Sequence, residues 1–404
     1  MQFVFFLLFI VAILICGSII LGPFSLRIYM TVIMLFSLLF LKQPAKERLY
    51  KVRTDYISIF LVCITMLGIA LLLNDGLIVL GFLNRCLAYY LVCIVAYFAV
   101  DRYVKNEGHF DKIVFVLSLI VLFDTVVTIL QYQNNPIGWS LGAIFSDVEE
   151  FATYLDEHDS FLGVSKLPGI FGHPVSNGFF LAVATPMLLT GIEKKNKLKA
   201  LFYIGIIALS LLALIFLQQR AAFFLVLMFV AYHFLKTIVK NPFRFIVPVG
   251  IIVILILYVI PSGGGDVELG RLSTSDNSSR TRVWRRAFQV ILENPLFGNP
   301  ARYYQAAEYS AHNMLIDSLI DSGIFGFIPL SILVIKTVKD SAKITLKNNN
   351  LYARVFSYCV LISMAMGLFH NTSYLTGDVI IFITLALMFK SQLFTNRNQL
   401  KLQR

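Results

Sequence analysis

The residues of this sequence best suited to chemistry are arginines, a histidine and carboxylates set beside apolar stretches. Arg220 stands in Leu217-Gln218-Gln219-Arg220-Ala221-Ala222, at the junction of two apolar runs with almost no loop between them. A charge in such a place either faces a wet cavity or a partner or reaches the membrane surface along its own stem. The guanidinium is a planar fork of donors that suits phosphate oxygens better than an ammonium does. Arg220 and Arg280 are therefore candidates for gripping a diphosphate. His312 and Asn313 close a long polar stretch just before an apolar run that begins at Met314. An imidazole titrates near neutrality, with an unperturbed pKa of about 6.5, so it can take a proton from an attacking hydroxyl. Asp317 and Asp321 share one face of the following helix, and Asp321 lies more than two turns below its start. At that depth a carboxylate is expected to line a cavity and pair with an arginine or histidine. Gly323 and Gly326 are expected to permit close helix approach there.

These groups have to be positioned by membrane helices. The chain of 404 residues is 58% hydrophobic and only 14% charged, with a mean hydropathy of +0.78, well beyond the range of ordinary soluble domains. Apolar runs of roughly 20 residues, each able to cross a core of ~30 Å, fall near 2–22, 25–41, 55–74, 77–100, 113–132, 170–192, 198–217, 219–239, 243–261, 313–335, 351–370 and 376–394. The expectation is an all-α polytopic membrane protein of about twelve transmembrane helices, forming a single integral membrane domain over 1–404. The runs are continuously apolar rather than alternating, which argues for helices over barrel strands. Gln2 to Leu21 lacks a basic start and a small-residue cleavage pattern, so it reads as a retained first span rather than a signal peptide.

Orientation follows from the basic residues. With Met1 in the cytoplasm, Lys42 to Arg53, Arg102 to Lys112, Lys194 to Lys199, Lys236 to Arg244, Lys336 to Arg354 and Lys390 to Arg404 all fall on the cytoplasmic side. That bias obeys the positive-inside rule and puts both termini in the cytoplasm. The net charge of +11 is thus mainly a topology signal and no evidence for nucleic acid. The five cysteines (Cys16, Cys63, Cys86, Cys93, Cys359) sit in or beside apolar runs and read as small buried hydrophobes, with no metal-site spacing.

Two connections on the outer side are long. The first, 134–167, is acidic around His158 and reads either as a solvated loop or as a lid over an outer site; it ends in the turn-rich Pro168-Gly169-Ile170-Phe171-Gly172-His173-Pro174. The second, 262–312, is a large outer loop between the ninth and tenth helices, with an amphipathic helix expected near 279–292. On that helix Arg282, Arg285, Arg286 and Gln289 share one face, while Arg280, Val283, Trp284 and Ala287 share another. It is expected to lie at the membrane surface with Trp284 at headgroup depth.

In this setting the sequence resembles the O-antigen ligase and O-antigen polymerase superfamily of bacterial envelope enzymes, from Gly169 onward. The matching elements are Gly172-His173-Pro174 with Asn177, Gln219-Arg220-Ala221, Arg280 four before Trp284, Asn294-Pro295-Leu296-Phe297-Gly298, and His312-Asn313 followed by Asp321-Ser322-Gly323-Ile324-Phe325-Gly326. The resemblance implies transfer of a glycan from an undecaprenyl-diphosphate carrier to an acceptor sugar hydroxyl, on the outer face of the bacterial inner membrane. It implies metal-independent chemistry with no cofactor. By carry-over, Arg220 and either Arg280 or Arg282 hold the diphosphate and His312 activates the acceptor, with Asn313, Asp317, Asp321, His173 and Asn177 in support. The implied partners are the carrier-linked glycan, an acceptor glycan or glycolipid, membrane lipid, and a chain-length regulator or flippase.

Within that resemblance, an O-antigen or capsular repeat-unit polymerase is preferred, because polymerases are the more numerous and divergent branch; a ligase acting on lipid A core is the alternative. A transporter or flippase for lipid-linked oligosaccharide would share the helices and the carrier. It predicts charged cavity residues toward both faces and a repeat between halves, and neither is visible here.

Overall fold

The computed structural model describes residues 2–16, 19–21, 24–40, 53–74, 86–145, 167–193, 196–240, 277–299, 311–369 and 374–402. Apart from two short paired strands, Ile20–Leu21 and Phe24–Ser25, its regular elements are helical. In chain order they are α1 (Gln2–Ile15), α2 (Leu26–Phe40), α3 (Asp55–Asn74), α4 (Leu91–Tyr103, entered through a π turn at Cys86–Tyr90), α5 (Glu107–Tyr132), α6 (Pro136–Ile144), α7 (Pro174–Ala184) and α8 (Leu189–Ile192). They continue with α9 (Lys197–Phe216), α10 (Arg220–Lys240), α11 (Asn277–Glu293), α12 (Met314–Lys347), α13 (Leu351–Phe369) and α14 (Val379–Leu402).

Among the described residues, 7 helices are long and apolar enough to cross a membrane: Asp55–Leu73, Cys86–Tyr103, Glu107–Tyr132, Pro174–Ile192, Lys197–Phe216, Met314–Lys347 and Leu351–Phe369. Gln2–Ile15, Leu26–Phe40, Arg220–Leu235 and Val379–Thr395 are apolar but shorter. The expected run 243–261, most of the acidic loop, and residues 262–276 and 300–310 of the second loop lie outside the described residues. Two spans differ from expectation. The run 170–192 is α7 and α8 joined by a 3-10 turn at Thr185–Leu188, because Pro186 offers no N–H to continue the ladder. The run 313–335 continues to Lys347, burying the small polar residues Thr337, Ser341 and Thr345 along its later turns.

The helices group into two compact units, one comprising Met1–Leu14, Ile20–Asn106 and Asp276–Arg404, the other Ile15–Ile19 and Glu107–Ser275. In the first, α12 packs on α3 and α13, α13 on α14, and α14 on α4. Aromatic rings fill its centre: Phe60 lies 4.7 Å from Phe382 and 5.8 Å from Tyr90 between centroids. Hydroxyls then pin neighbouring segments together, Tyr374 with Thr337 at 2.8 Å and Thr345 with Ser357 at 2.6 Å, as polar groups do between membrane helices.

Far along α12 from its start, charged groups lock three helices of this unit. Arg53 pairs with Asp55 at 3.0 Å and Asp340 at 2.6 Å, Lys336 pairs with Asp55 at 2.9 Å, and the Tyr56 hydroxyl donates to Asp340 at 2.6 Å. The Arg53 guanidinium also lies over the rings of Tyr56 and Phe389. Burial works against its charge, yet the hydrogen bond to Asp55 and the field of Asp340 hold Arg53 above its ordinary pKa. At the same end Lys390 donates to Asp101 Oδ1 at 2.7 Å.

The second unit is built on α5, which packs against α6, α7 and α9, while α10 packs on α7 and α9. Its hairpins close tightly. After α9 the Gln218 N–H bonds Ile215 O and the Gln219 N–H bonds Leu214 O, with Gln218 at φ 53; after α5 the same pattern recurs with Asn134 at φ 52. Both are Schellman-type endings, which satisfy the last carbonyls of a helix within one turn.

The first unit contains a broken helix. Gly323, at φ 58 and ψ −160, interrupts α12, and the turn after α11 fills the break. The Asn299 N–H donates to Ile320 O at 2.8 Å, while the Ile324 and Phe325 N–H groups donate to Pro295 O at 2.9 Å and Leu296 O at 3.3 Å. Gly298 (φ 67) and Gly323 face each other across this seam: a Cβ on Gly298 would overlap the Ile320 carbonyl, and one on Gly323 the Leu296 carbonyl. Gly323 thus admits a turn rather than a neighbouring helix, and a Cβ on Gly326 would strike the Ser322 side chain of its own helix. Gly298→Ala and Gly323→Ala should each cost on the order of 1–3 kcal/mol of stability through strain at positive φ, read as a lower melting temperature of the purified protein. Gly205→Ala is the control: a Cβ there meets nothing within 4 Å and should be neutral or slightly stabilising. Equal melting of all three variants would refute the seam.

Candidate active site

His312 occupies a constructed seat in the first unit. Immediately before it, the Ala311 peptide is held from both ends: its N–H donates to Asp317 Oδ1 at 2.7 Å, and its carbonyl accepts from the Trp284 indole N–H at 2.9 Å. Immediately after it, Asn313 caps α12, its Oδ1 accepting from the Leu315 and Ile316 N–H groups at 3.0 and 3.2 Å. The Asn313 Nδ2 donates onward to Leu368 O at 3.1 Å, tethering the start of α12 to the end of α13. Between these fixed points His312 is exposed and adopts φ 52. A β-carbon residue at such an angle costs free energy that its surroundings must offset, and such residues cluster at functional sites.

Beneath the seat lies a small apolar core of Ala287, Ala311 and Ile320, with Val290, Ile291 and Ile316 packed around it. α11 therefore buries one side on α12, while Arg285, Arg286 and Gln289 are exposed. Trp284 remains 40% exposed and Phe288 50%, so a second apolar stripe of α11 stays open next to the arginines. Arg280 and Arg282 are within α11, but their side chains are outside the described residues. Asp317 is the acceptor that fixes Ala311, and Asp321 is half-buried one turn further along.

The second unit brings together two other stretches singled out in the sequence. His173 caps α7, its Nδ1 accepting from the Val175 N–H at 3.1 Å, with Pro174 in the first turn where its missing N–H is harmless. Asn177 is fully buried and donates to Thr128 Oγ1 at 3.0 Å and Leu167 O at 3.1 Å. One residue on, Gly178 abuts the Gln219 side chain, so the His173-to-Asn177 and Gln219-Arg220 stretches meet. Arg220 is half-exposed and opens α10 directly after the Gln218 turn. At this helix start the Arg220 N–H donates to Gln218 O at 3.0 Å and the Phe223 N–H to Gln219 O at 2.9 Å, so the turn itself caps the helix that carries the guanidinium.

Sequence reasoning passed over several of these participants. Trp284 is a hydrogen-bond donor to the seat as well as a surface residue, and Ala311 is a fixed point; both roles depend on contact between α11 and α12 that no local pattern encodes. In the second unit Asp124 Oδ1 accepts the Ile170 N–H at 3.0 Å and Gln131 Oε1 the Gly169 N–H at 2.9 Å, beside the Thr128 that Asn177 donates to; all three lie inside an apolar run and gave no outward signal. Among the described residues no group of His, Cys, Asp and Glu could hold a metal ion.

The helices define a multi-pass membrane protein. Residues 205–331 match the family model described as O-Antigen ligase, a match that supports the resemblance to the O-antigen ligase and polymerase superfamily. Arg220, Arg280, Arg282, His312, Asn313, Asp317 and Asp321 all lie within the matched segment, whereas His173 and Asn177 precede it. No curated protein matches the chain.

If Asp317 serves as an acceptor for Ala311, Asp317→Asn keeps an acceptor oxygen and should preserve both melting temperature and activity, whereas Asp317→Ala strands a peptide N–H at about 1–3 kcal/mol. Thermal melting and surface-glycan gels on the two variants distinguish them. Loss in Asp317→Asn as large as in Asp317→Ala would mean that the charge itself is needed.

Proposed function

We propose that the protein is a glycosyltransferase of the bacterial inner membrane that moves a glycan from an undecaprenyl-diphosphate carrier to an acceptor sugar hydroxyl, acting as a repeat-unit polymerase. The observation that carries this reading is the exposed, left-handed His312 set between Ala311, which Trp284 and Asp317 hold, and the capping Asn313, within the segment that matches the ligase family model. In the reaction, the acceptor hydroxyl gives its proton to the neutral imidazole of His312 as its oxygen bonds to the donor sugar C1. The bond from C1 to the phosphate oxygen breaks, and its electron pair leaves on the diphosphate. Arg220 and one or both of Arg280 and Arg282 serve that leaving group, since preorganised guanidinium groups stabilise developing phosphate charge without a metal. In-line attack inverts the anomeric centre. Asp321 supports the site from the following helix turn.

About twelve crossings, cytoplasmic termini and an outward-facing His312 complete the proposal, supported by the distribution of Lys and Arg and by the charged lock that pairs Arg53 with Asp340 and Asp55 with Lys336, well along α12 from His312. At a rise of 1.5 Å per residue, the contour from His312 to Lys336 is roughly 36 Å, enough to span the core. The ligase reading is favoured by the description of the matched family model itself; it would require lipid A core as acceptor, whereas a polymerase needs only carrier-linked repeats.

Gene deletion in the native host, complemented with wild type or variants, tests the proposal through gels of surface glycan and carrier-linked intermediates. Single repeats capped on the acceptor are expected. Long glycan accumulating on the carrier would make the protein a ligase, and unflipped precursor would make it a transporter. His312→Ala, Arg220→Ala and Arg280→Ala are each expected to reduce transfer at least a hundredfold while the protein stays in the membrane. A cysteine replacing His312 should react with an impermeant reagent applied from outside; protection there would overturn the orientation.

A further inference from the structure

Three irregular backbone segments of the first unit meet around Tyr89. α2 starts at Leu26 directly after the two short strands, α4 is entered through the π turn Cys86–Tyr90, and a turn over 374–378 leads into α14. The Tyr90 hydroxyl donates to Leu375 O at 2.8 Å and the Cys93 thiol to Gly377 O at 3.4 Å. Gly377, at φ 76, comes so close to Tyr89 that a Cβ on it would overlap the Tyr89 Cβ. Arg27 Cζ lies 5.9 Å from the centre of the Tyr89 ring, and the Thr376 hydroxyl donates to Asp378 Oδ2 at 2.6 Å. Helix rise gives the depth of this group. Arg27 precedes Leu38, whose carbonyl accepts from Arg102, by eleven residues; Tyr89 precedes Asp101 by twelve, and Asp378 precedes Lys390, the partner of Asp101, by twelve. At 1.5 Å per residue all three lie roughly 16–18 Å from that charged end, about half of a ~30 Å core. Arg27, Thr376 and Asp378 are nevertheless only partly buried, and Tyr89 is 42% exposed. An ionisable group at that depth faces the bundle interior or a wet cavity, and partial exposure selects the cavity, which irregular backbone within a membrane also lines. Toward the charged end the space is filled by Phe60, Tyr90, Tyr374 and Phe382, none more than 1% exposed. Water therefore reaches the group from the opposite end.

We propose that Arg27, Tyr89, Thr376 and Asp378 form the floor of a water-filled well that opens to the outer side and binds a sugar unit of the glycan. The outward direction and the substrate class rest on the glycosyltransferase reading above. A guanidinium and a carboxylate together carry no net charge, so they suit hydroxyls, each both donor and acceptor, better than another phosphate. The exposed tyrosine ring offers an apolar body on which the C–H face of a sugar ring packs. None of the four residues takes part in proton transfer or holds the diphosphate, so the well grips sugar without reacting with it.

Water access is measured on Tyr89→Cys in full-length protein whose two cysteines that are not buried, Cys16 and Cys86, are replaced by serine. An impermeant methanethiosulfonate applied to cells from outside is expected to modify it roughly tenfold faster or more than Ile328→Cys, because a thiolate forms only in water. Ile328 is 49% exposed on α12, at a similar distance from Asp340 as Tyr89 is from Asp101. Equal rates at the two positions would overturn the well. Sugar binding is read by titrating the protein in nanodiscs with the repeat-unit oligosaccharide released by mild acid from the surface glycan of the native host. Wild type is expected to bind it, and Tyr89→Ala and Asp378→Asn to weaken binding about fivefold or more; the near-isosteric Asp378→Asn serves if Tyr89→Ala does not fold. No binding by wild type, or unchanged affinity in the variants, would overturn the sugar assignment. Neither measurement needs transfer, so a protein that binds the oligosaccharide but transfers nothing loses the glycosyltransferase reading and keeps the well.

Discussion

A helix interrupted inside a membrane leaves backbone groups that must find partners within the protein, and the seam at Gly323 is where this chain meets that demand. The turn from Pro295 to Asn299 supplies the partners, bonding Ile320 O, Ile324 N–H and Phe325 N–H. Because the exchange runs backbone to backbone, it fixes the end of α11 relative to the start of α12 with little freedom. That registration sets Ala287 against Ala311 and Ile320, and brings the Trp284 indole to the Ala311 carbonyl. His312 inherits its left-handed backbone from this chain of constraints rather than from its own preference.

The second unit uses the same economy at its turns. Gln218 and Asn134 accept positive φ so that the last carbonyls of α9 and α5 are capped without a loop. A hairpin that short presents Arg220 at the first position of α10 with nowhere to retreat. Around Gly169, Gln131 pairs with both N–H and carbonyl of the same residue, and Asp124 and Asn177 close in from the sides. Polar residues within an apolar helix thus shape a turn that a purely apolar surface could not grip.

What could be read from the sequence divides along locality. Apolar runs gave the helices, since only continuous hydrogen bonding within a segment survives lipid. The polar stretch before Met314 marked His312 and Asn313 because a helix start is a local event with a recognisable cap. The pairing of the Asn294-to-Gly298 stretch with the break at Gly323 was invisible, although both stretches stood out individually, because nothing along the chain states which glycine meets which carbonyl. Asp124 was hidden for the opposite reason: one carboxylate in a long apolar run barely alters its hydropathy. Pro186 and the later turns of α12 show a third limit, in that hydropathy reports what lipid tolerates and not where a helix bends or stops.

The charged lock around Arg53 and the seam at Gly323 divide α12 mechanically. Beyond the seam, Lys336 and Asp340 are tied to Asp55 and Tyr56 of α3, and Asp340 also to Arg53, whose guanidinium stacks on Phe389 of α14, so the long lower arm behaves as part of the bundle. Before the seam, Met314 to Ser322 forms a short upper arm held at its start by the Asn313 tether and the Ala311 peptide and at its end by the turn that fills the break. The two arms of α12 are therefore anchored by separate sets of partners, so the segment that follows the histidine is held in place independently of the charged lock.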